Sequence, residues 1–140
     1  MKAIFISDAH LINGWVKNFV LIEQFFDELQ ATKDKAIDRL YILGDFFDFW
    51  FSKGNDIFPE YLPIVKKIVD LHQSGTTVNI VEGNHEFFMR DFFKRFEIDV
   101  TETFFDFYAD GKRFFLSHGD DLYEGGRFDQ LLKMFLKSEI

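Results

Sequence analysis

Thr77-Val78-Asn79-Ile80-Val81-Glu82-Gly83-Asn84-His85-Glu86 decides how this chain is read. Thr77–Val81 has the apolar, β-branched make-up of a buried strand. A small residue, an amide, an imidazole and a carboxylate follow it directly. Such a group builds a poor core and a good polar site at a strand end. Three further clusters stand in the same context. Asp8-Ala9-His10 follows the apolar run 3–7, Gly44-Asp45-Phe46-Phe47-Asp48 follows Leu40–Leu43, and Ser117-His118-Gly119-Asp120 follows Arg113–Leu116.

Between these strand ends the pattern is helical. From Trp15 to Ala31, Phe19, Ile22, Phe26 and Leu29 share a face, with Lys17, Glu23, Gln24, Asp27 and Glu28 largely opposite. Thr32 to Asp38 is a polar connection, and 44–55 is a loop dense in aromatics. A second helix runs from about Pro59 to Gln73 and stops at Gly75. A third is expected over 86–96. Thr103–Tyr108 and Lys112–Leu116 flank Asp110-Gly111, a strong hairpin signal. Gly125-Gly126 makes an elbow before a last helix through Leu131, Leu132, Phe135 and Leu136. The expected architecture is α/β, a mainly parallel sheet flanked by helices with right-handed crossovers, in one domain over 1–140. Ligands of such sheets bind beyond the carboxyl ends of the strands, where the clusters lie.

The chain of 140 residues carries 21 Phe and a formal charge of −8, with no Cys. The charge makes nucleic acid an unfavourable partner, because non-specific binding rests on Lys and Arg meeting phosphate. The lack of Cys excludes disulfide and thiolate chemistry. No apolar run is long enough to span a bilayer, and no signal peptide is recognised at the start, which fits a cytoplasmic setting. Phe pairs such as Phe92-Phe93 cannot all face inward on one helix, so an exposed apolar surface, an interface or binding groove, is expected.

Asp, His and Asn together offer hard oxygen and imidazole nitrogen donors, suited to Mn, Zn or Fe. Two cations about 3.5–4 Å apart clamp a displacement at phosphorus and lower the pKa of water; a carboxylate such as Asp45 can bridge them. Each cluster alone has a blander reading: loop polarity for Asp8 and His10, a capping turn for Asp45, a turn for Asn84, an ordinary surface His for His118. His72 is read as solvated at a helix end; Arg90 and Arg127 could contact a phosphate, with surface ion pairs the preferred reading. The order and common placement of the four clusters outweigh these readings.

With these motifs the chain resembles the calcineurin-like metallophosphoesterases, whose blocks run Asp-x-His, Gly-Asp-x-x-Asp, Gly-Asn-His-Asp/Glu, a later His, then Gly-His-x-His. Here they match Asp8-Ala9-His10, Gly44–Asp48, Gly83–Glu86 and His118. The resemblance implies two divalent metals, Mn first with Fe or Zn as alternatives. Asp8 and His10 would hold the first, Asn84 and His118 the second, and Asp45 would bridge. His85 would be the catalytic residue, assisting the leaving group or stabilising the transition state. Asp48 and Glu86 would support the metal ligands from behind.

Within the family the aromatic continuation Gly44-Asp45-Phe46-Phe47-Asp48-Phe49-Trp50 and the segment Ser117–Asp120 are similar to the UDP-2,3-diacylglucosamine hydrolases of lipid A synthesis. That likeness implies an acylated nucleotide-sugar substrate, cleaved to UMP and diacylglucosamine 1-phosphate, and a place at the inner face of a membrane. Two departures stand out. Best-known members of that group carry Arg where this chain has His85, and the Gly-His-x-His block is absent, so a C-terminal truncation is expected. Two other readings are a family phosphatase or nuclease acting on a soluble substrate, and a non-catalytic binding or assembly module.

Overall fold

In chain order the elements are β1 (Ala3–Ile6), α1 (Val16–Ala31), β2 (Arg39–Leu43), β3 (Trp50–Phe51), α2 (Leu62–Gln73), β4 (Thr77–Val81), β5 (Glu86–Phe87), α3 (Met89–Phe93), β6 (Asp99–Thr101), β7 (Phe104–Ala109) and β8 (Lys112–Ser117). The computed structural model describes residues 1–12, 16–31, 37–52 and 56–120. The expected elbow at Gly125-Gly126, the last helix and Arg127 lie outside them.

β1, β2, β4 and β6 form one parallel sheet in the order β1-β2-β4-β6. Register follows the two-residue side-chain period. Ile4 stands against Leu40, Leu40 against Val78, Ile42 against Ile80, and Ile80 against Val100. These residues face the helices and form the core with Phe26 of α1 and Ile64, Val65 and Ile68 of α2. Phe19, Ile22 and Leu29 of α1 pack against it partly buried. An ion pair between Lys67 and Asp27 ties the two helices at the surface. The parallel α/β architecture expected from the strand–helix alternation is the one observed.

The alternate residues of the sheet, Phe5 and Tyr41 among them, face the other way. There Tyr41 meets the antiparallel β7–β8 hairpin, in which Phe107 pairs with Phe114 and Phe105 with Leu116. The hairpin turns at Asp110-Gly111, both at positive φ.

Four expectations are corrected. Glu86–Phe96 is not one helix: Glu86 and Phe87 pair in parallel with Trp50 and Phe51, and Phe88 turns through a left-handed φ of 63°. α3 and a 3₁₀ turn over Lys94–Phe96 follow. The local apolar pattern fits a helix, but backbone pairing with β3 wins at its start. Phe92 and Phe93 are both buried, at 4% and 0% exposure. The Trp50 ring lies against both, so the two neighbours share one buried contact. β6 was not foreseen, because three residues are too few to show a period. His72 is not simply solvated; its Nδ1 accepts the Val78 N–H at 3.2 Å, joining α2 to β4.

Burial sets the stability consequences. Phe93→Ala should cost about 3–5 kcal/mol, the usual range for a buried aromatic. Leu21→Ala, on the exposed face of α1 at 53% exposure, should stay within about 0.5 kcal/mol. Urea unfolding of the two variants beside the parent measures the contrast, and a small loss at Phe93 would contradict its burial.

Candidate metal centre

The loops after β1 and β2 run side by side as a short continuation of the sheet. Asp8 N–H donates to Gly44 O (3.1 Å), His10 N–H to Asp45 O (3.0 Å), Leu11 N–H to Phe46 O (3.0 Å), and Asp48 N–H returns to Leu11 O (3.0 Å). Within this pairing Asp8, His10 and Asp45 hold positive φ, 53°, 42° and 48°. L-residues seldom adopt that region, and they persist in it only where their surroundings over-determine them.

The third loop, after β4, is locked to the second by Glu86. Its side chain is 1% exposed as a residue and accepts four backbone N–H bonds. Oε1 takes those of Phe46 (2.9 Å) and Phe47 (3.0 Å); Oε2 takes those of Asp45 (3.1 Å) and Gly83 (2.9 Å). Burial pushes this carboxyl up, to about 7, while the N–H donors of Gly83, Phe47 and Phe46 pull against it and the Asp45 charge adds to the rise. Only the ionised form accepts all four bonds.

Asp45 is the hub. Its Oδ1 accepts the His85 N–H at 3.2 Å. Its Oδ2 lies 3.5 Å from His118 Nε2 and 4.0 Å from His10 Nε2. One carboxylate oxygen thus faces two imidazoles from different loops, the geometry a bridging ligand needs. Asp8 Oδ1 is 4.0 Å from His10 Nε2, and Asn84 Oδ1 is 3.3 Å from His118 Nε2. All five residues read from the sequence as metal ligands therefore come together at the strand ends. Donor atoms within 4.8 Å of one another form two groups, Asp8–Asp45–His118 and His10–Asp48–His85. The chemistry and spacing of these donors suit divalent cations.

Two of the three imidazoles, those of His118 and His85, are held by Nδ1. That of His118 donates to Leu43 O at 2.9 Å, and that of His85 to Asp48 O at 2.6 Å. This fixes the tautomer and leaves Nε2 for a ligand, the usual arrangement behind a metal-binding His. Burial by itself raises the Asp45 carboxyl; the hydrogen bonds of His118 and His85 and the charges of the two rings more than offset this and hold it below its ordinary value. The hydrogen bond to Asp45 pushes His118 up to about 9 against its burial, helped by the Leu43 carbonyl. A cation between them would take the place of that proton.

Two roles escaped the sequence reading. Asp48 does not only support: its carboxylate lies 3.7 Å from His10 Nδ1, within the second donor group. Gly44 and Gly83 are spacers. A Cβ on Gly44 would come within 2.4 Å of His118 Nδ1, and one on Gly83 within 2.1 Å of Asp45 Oδ1. The signal was present, since a glycine precedes the key residue in both motifs.

Residues 1–139 match the family model described as calcineurin-like phosphoesterase. The chain is 34% identical over 125 residues to a UDP-2,3-diacylglucosamine hydrolase of Aromatoleum aromaticum, covering 87% of this chain and 48% of the relative. It is 30% identical over 141 residues to one of Pseudomonas fluorescens, covering 98% and 53%. The chain thus spans about half the length of the curated relatives it matches. Among solved structures it resembles a protein of unknown function, AQ665, from Aquifex aeolicus, with a TM-score of 0.57 and 22% identity over 96% of this chain and 72% of that one, a likeness of fold.

Glu86→Gln keeps the shape but replaces one acceptor oxygen by a donor. Two backbone N–H groups would then face an N–H₂. An orphaned buried donor costs about 1–3 kcal/mol, but the neutral amide also escapes the desolvation that raises the Glu86 carboxyl, so the variant should lose stability in urea unfolding at pH 8 by less than the roughly 2–6 kcal/mol of two such donors. Parent-like stability would show that the four bonds are not what joins these loops.

Proposed function

The chain belongs to the calcineurin-like phosphoesterase family, and on that premise we propose that it carries the metal-binding residues of a two-metal hydrolase acting on UDP-2,3-diacylglucosamine. The products are UMP and diacylglucosamine 1-phosphate: water adds to one phosphorus of the pyrophosphate and the bridging P–O bond breaks. The observation that carries the reading is the Asp45 Oδ2 atom facing both His118 and His10. The names of the relatives support the substrate.

When bound, two divalent cations, Mn first and Fe or Zn as alternatives, would supply Lewis-acid charge at the phosphoryl group and activate water. Asp8, His10, Asp45, Asn84 and His118 would hold them, with Asp48 beside His10. His85 keeps its Nε2 free because Nδ1 is committed to the Asp48 carbonyl. From there it can meet charge on the phosphoryl oxygens or donate to the leaving group. Glu86 keeps Asp45 and Gly83 in place.

We place the protein in the cytoplasm, at the inner face of a membrane. Phe49, Phe58 and Leu62 are 44%, 41% and 53% exposed, and Phe49 directly follows Asp48. Apolar contact rather than charge would make the attachment, since the chain is acidic. Among the described residues no helix is long and apolar enough to cross a membrane. A second reading, a family phosphatase on a soluble phosphoester, is favoured by His85, which stands where best-known members of the hydrolase subgroup carry Arg.

The test uses protein expressed from the whole reading frame, with Mn, assayed on UDP-2,3-diacylglucosamine and on a soluble aryl phosphodiester. Turnover of the first and not the second is expected; the reverse supports the second reading. Asp45→Ala should abolish both turnover and Mn content, and substantial residual turnover would remove its bridging role. His85→Ala should lower turnover by about 10²–10⁴-fold with Mn content kept. Asn84→Ala should lose Mn first, and equal metal loss in the two variants would refute this division.

A further inference from the structure

The β7–β8 hairpin delivers His118, yet it forms a two-stranded sheet of its own and shares no ladder with the parallel sheet. A ladder would have fixed its place. In its absence the described contacts between hairpin and sheet are mostly aromatic. The Phe107 ring stacks on Tyr41 of β2, with centroids 5.3 Å apart and planes 4° from parallel, and Phe105 meets the same Tyr41 edge-on at 6.0 Å. Arg39 clamps the pair: its Nη1 donates to the Tyr41 hydroxyl at 2.9 Å while its guanidinium carbon lies 5.3 Å from the Phe107 centroid. Phe5 of β1 stacks on Tyr41 at 5.4 Å and 9°. Tyr41 is 1% exposed, so these neighbours cover its ring.

We propose that Tyr41 is a positioning residue for His118, with the Tyr41–Phe107 stack setting where the hairpin lies and hence where His118 Nε2 stands relative to Asp45. β2 carries Tyr41 and leads, four residues on, to Asp45. The strand that delivers one ligand covalently thus places the other through ring contact. The Nδ1 bond to Leu43 O, also on β2, finishes the alignment. Arg39, Tyr41 and Leu43 are alternate residues, so one face of one strand carries the Arg39 and Tyr41 contacts. Buried stacks of this kind contribute beyond their area, and supports behind a metal-bound His typically matter about 10–100-fold in metal affinity.

The inference rests on the reading of His118 as a metal ligand, and the test separates the two. Mn(II) binding to the protein from the whole reading frame is measured by titration calorimetry and electron paramagnetic resonance. The variants are Tyr41→Phe, Tyr41→Leu, Phe107→Leu, His118→Ala and the double variant Tyr41→Leu/His118→Ala. Tyr41→Phe keeps the stack and should bind Mn as the parent does. Tyr41→Leu and Phe107→Leu should each weaken it about 10–100-fold. The double variant should be no weaker than His118→Ala, because Tyr41 acts only through that ring. Parent-like binding in both leucine variants, or multiplicative losses in the double variant, would overturn the proposal. If His118→Ala binds Mn like the parent, or the parent binds none, the metal reading fails and this inference with it. Should Tyr41→Leu lose its cooperative fold by circular dichroism, Phe107→Leu decides, since it alters the hairpin and leaves the sheet intact.

Discussion

Four backbone N–H groups converging on one buried carboxylate hold this structure's functional end together. Glu86 joins the loop after β2 to the loop after β4, two segments about forty residues apart in sequence, through charge-assisted hydrogen bonds of fixed direction. Loop backbone left without partners would be costly to bury. Here the chain uses the charge of one residue to satisfy four donors at once. Gly83 and Gly44 make that closeness sterically tolerable, one beside Asp45 and the other beside His118. The exposed donors, Asp8 and Asn84 among them, therefore stand on a base that is itself rigid.

The aromatic residues divide into two sets with different work. Trp50, Phe47, Tyr61, Phe92 and Phe93 form a dense ring cluster under the loop after β2. They explain how a segment as irregular as 44–52 keeps a fixed shape, since its buried rings fill the space a regular element would otherwise occupy. The second set lies on the opposite side of the sheet, between Tyr41 and the hairpin. Each set fixes one wall of the metal centre.

Much of this was legible in the sequence. The parallel sheet followed from apolar runs spaced by helical patterns, and Thr77–Val81 and the Asp110-Gly111 turn were placed correctly. The gathering of Asp8, His10, Asp45, Asn84 and His118 followed from their common place after strands. What the sequence hid was non-local. Glu86 looked like the start of a helix because its partners lie in another loop. Phe92 and Phe93 looked exposed because a local pattern cannot show that α3 is short and covered by Trp50. Asp48 sat within a recognised motif, yet its nearness to His10 depends on two loops pairing, and no period records that.

The hairpin's mode of attachment has a consequence for how this centre can change over time. Strands joined by a ladder slip only in whole residues, about 3.3 Å each, and a one-residue slip turns every side chain over. Stacked rings have no register. The volume of a side chain at position 105 or 107 can shift the hairpin by fractions of an ångström while its fold stays the same. The distance between Asp45 and His118 can therefore differ by less than a residue step, within what the Nδ1 bond of His118 to Leu43 O allows.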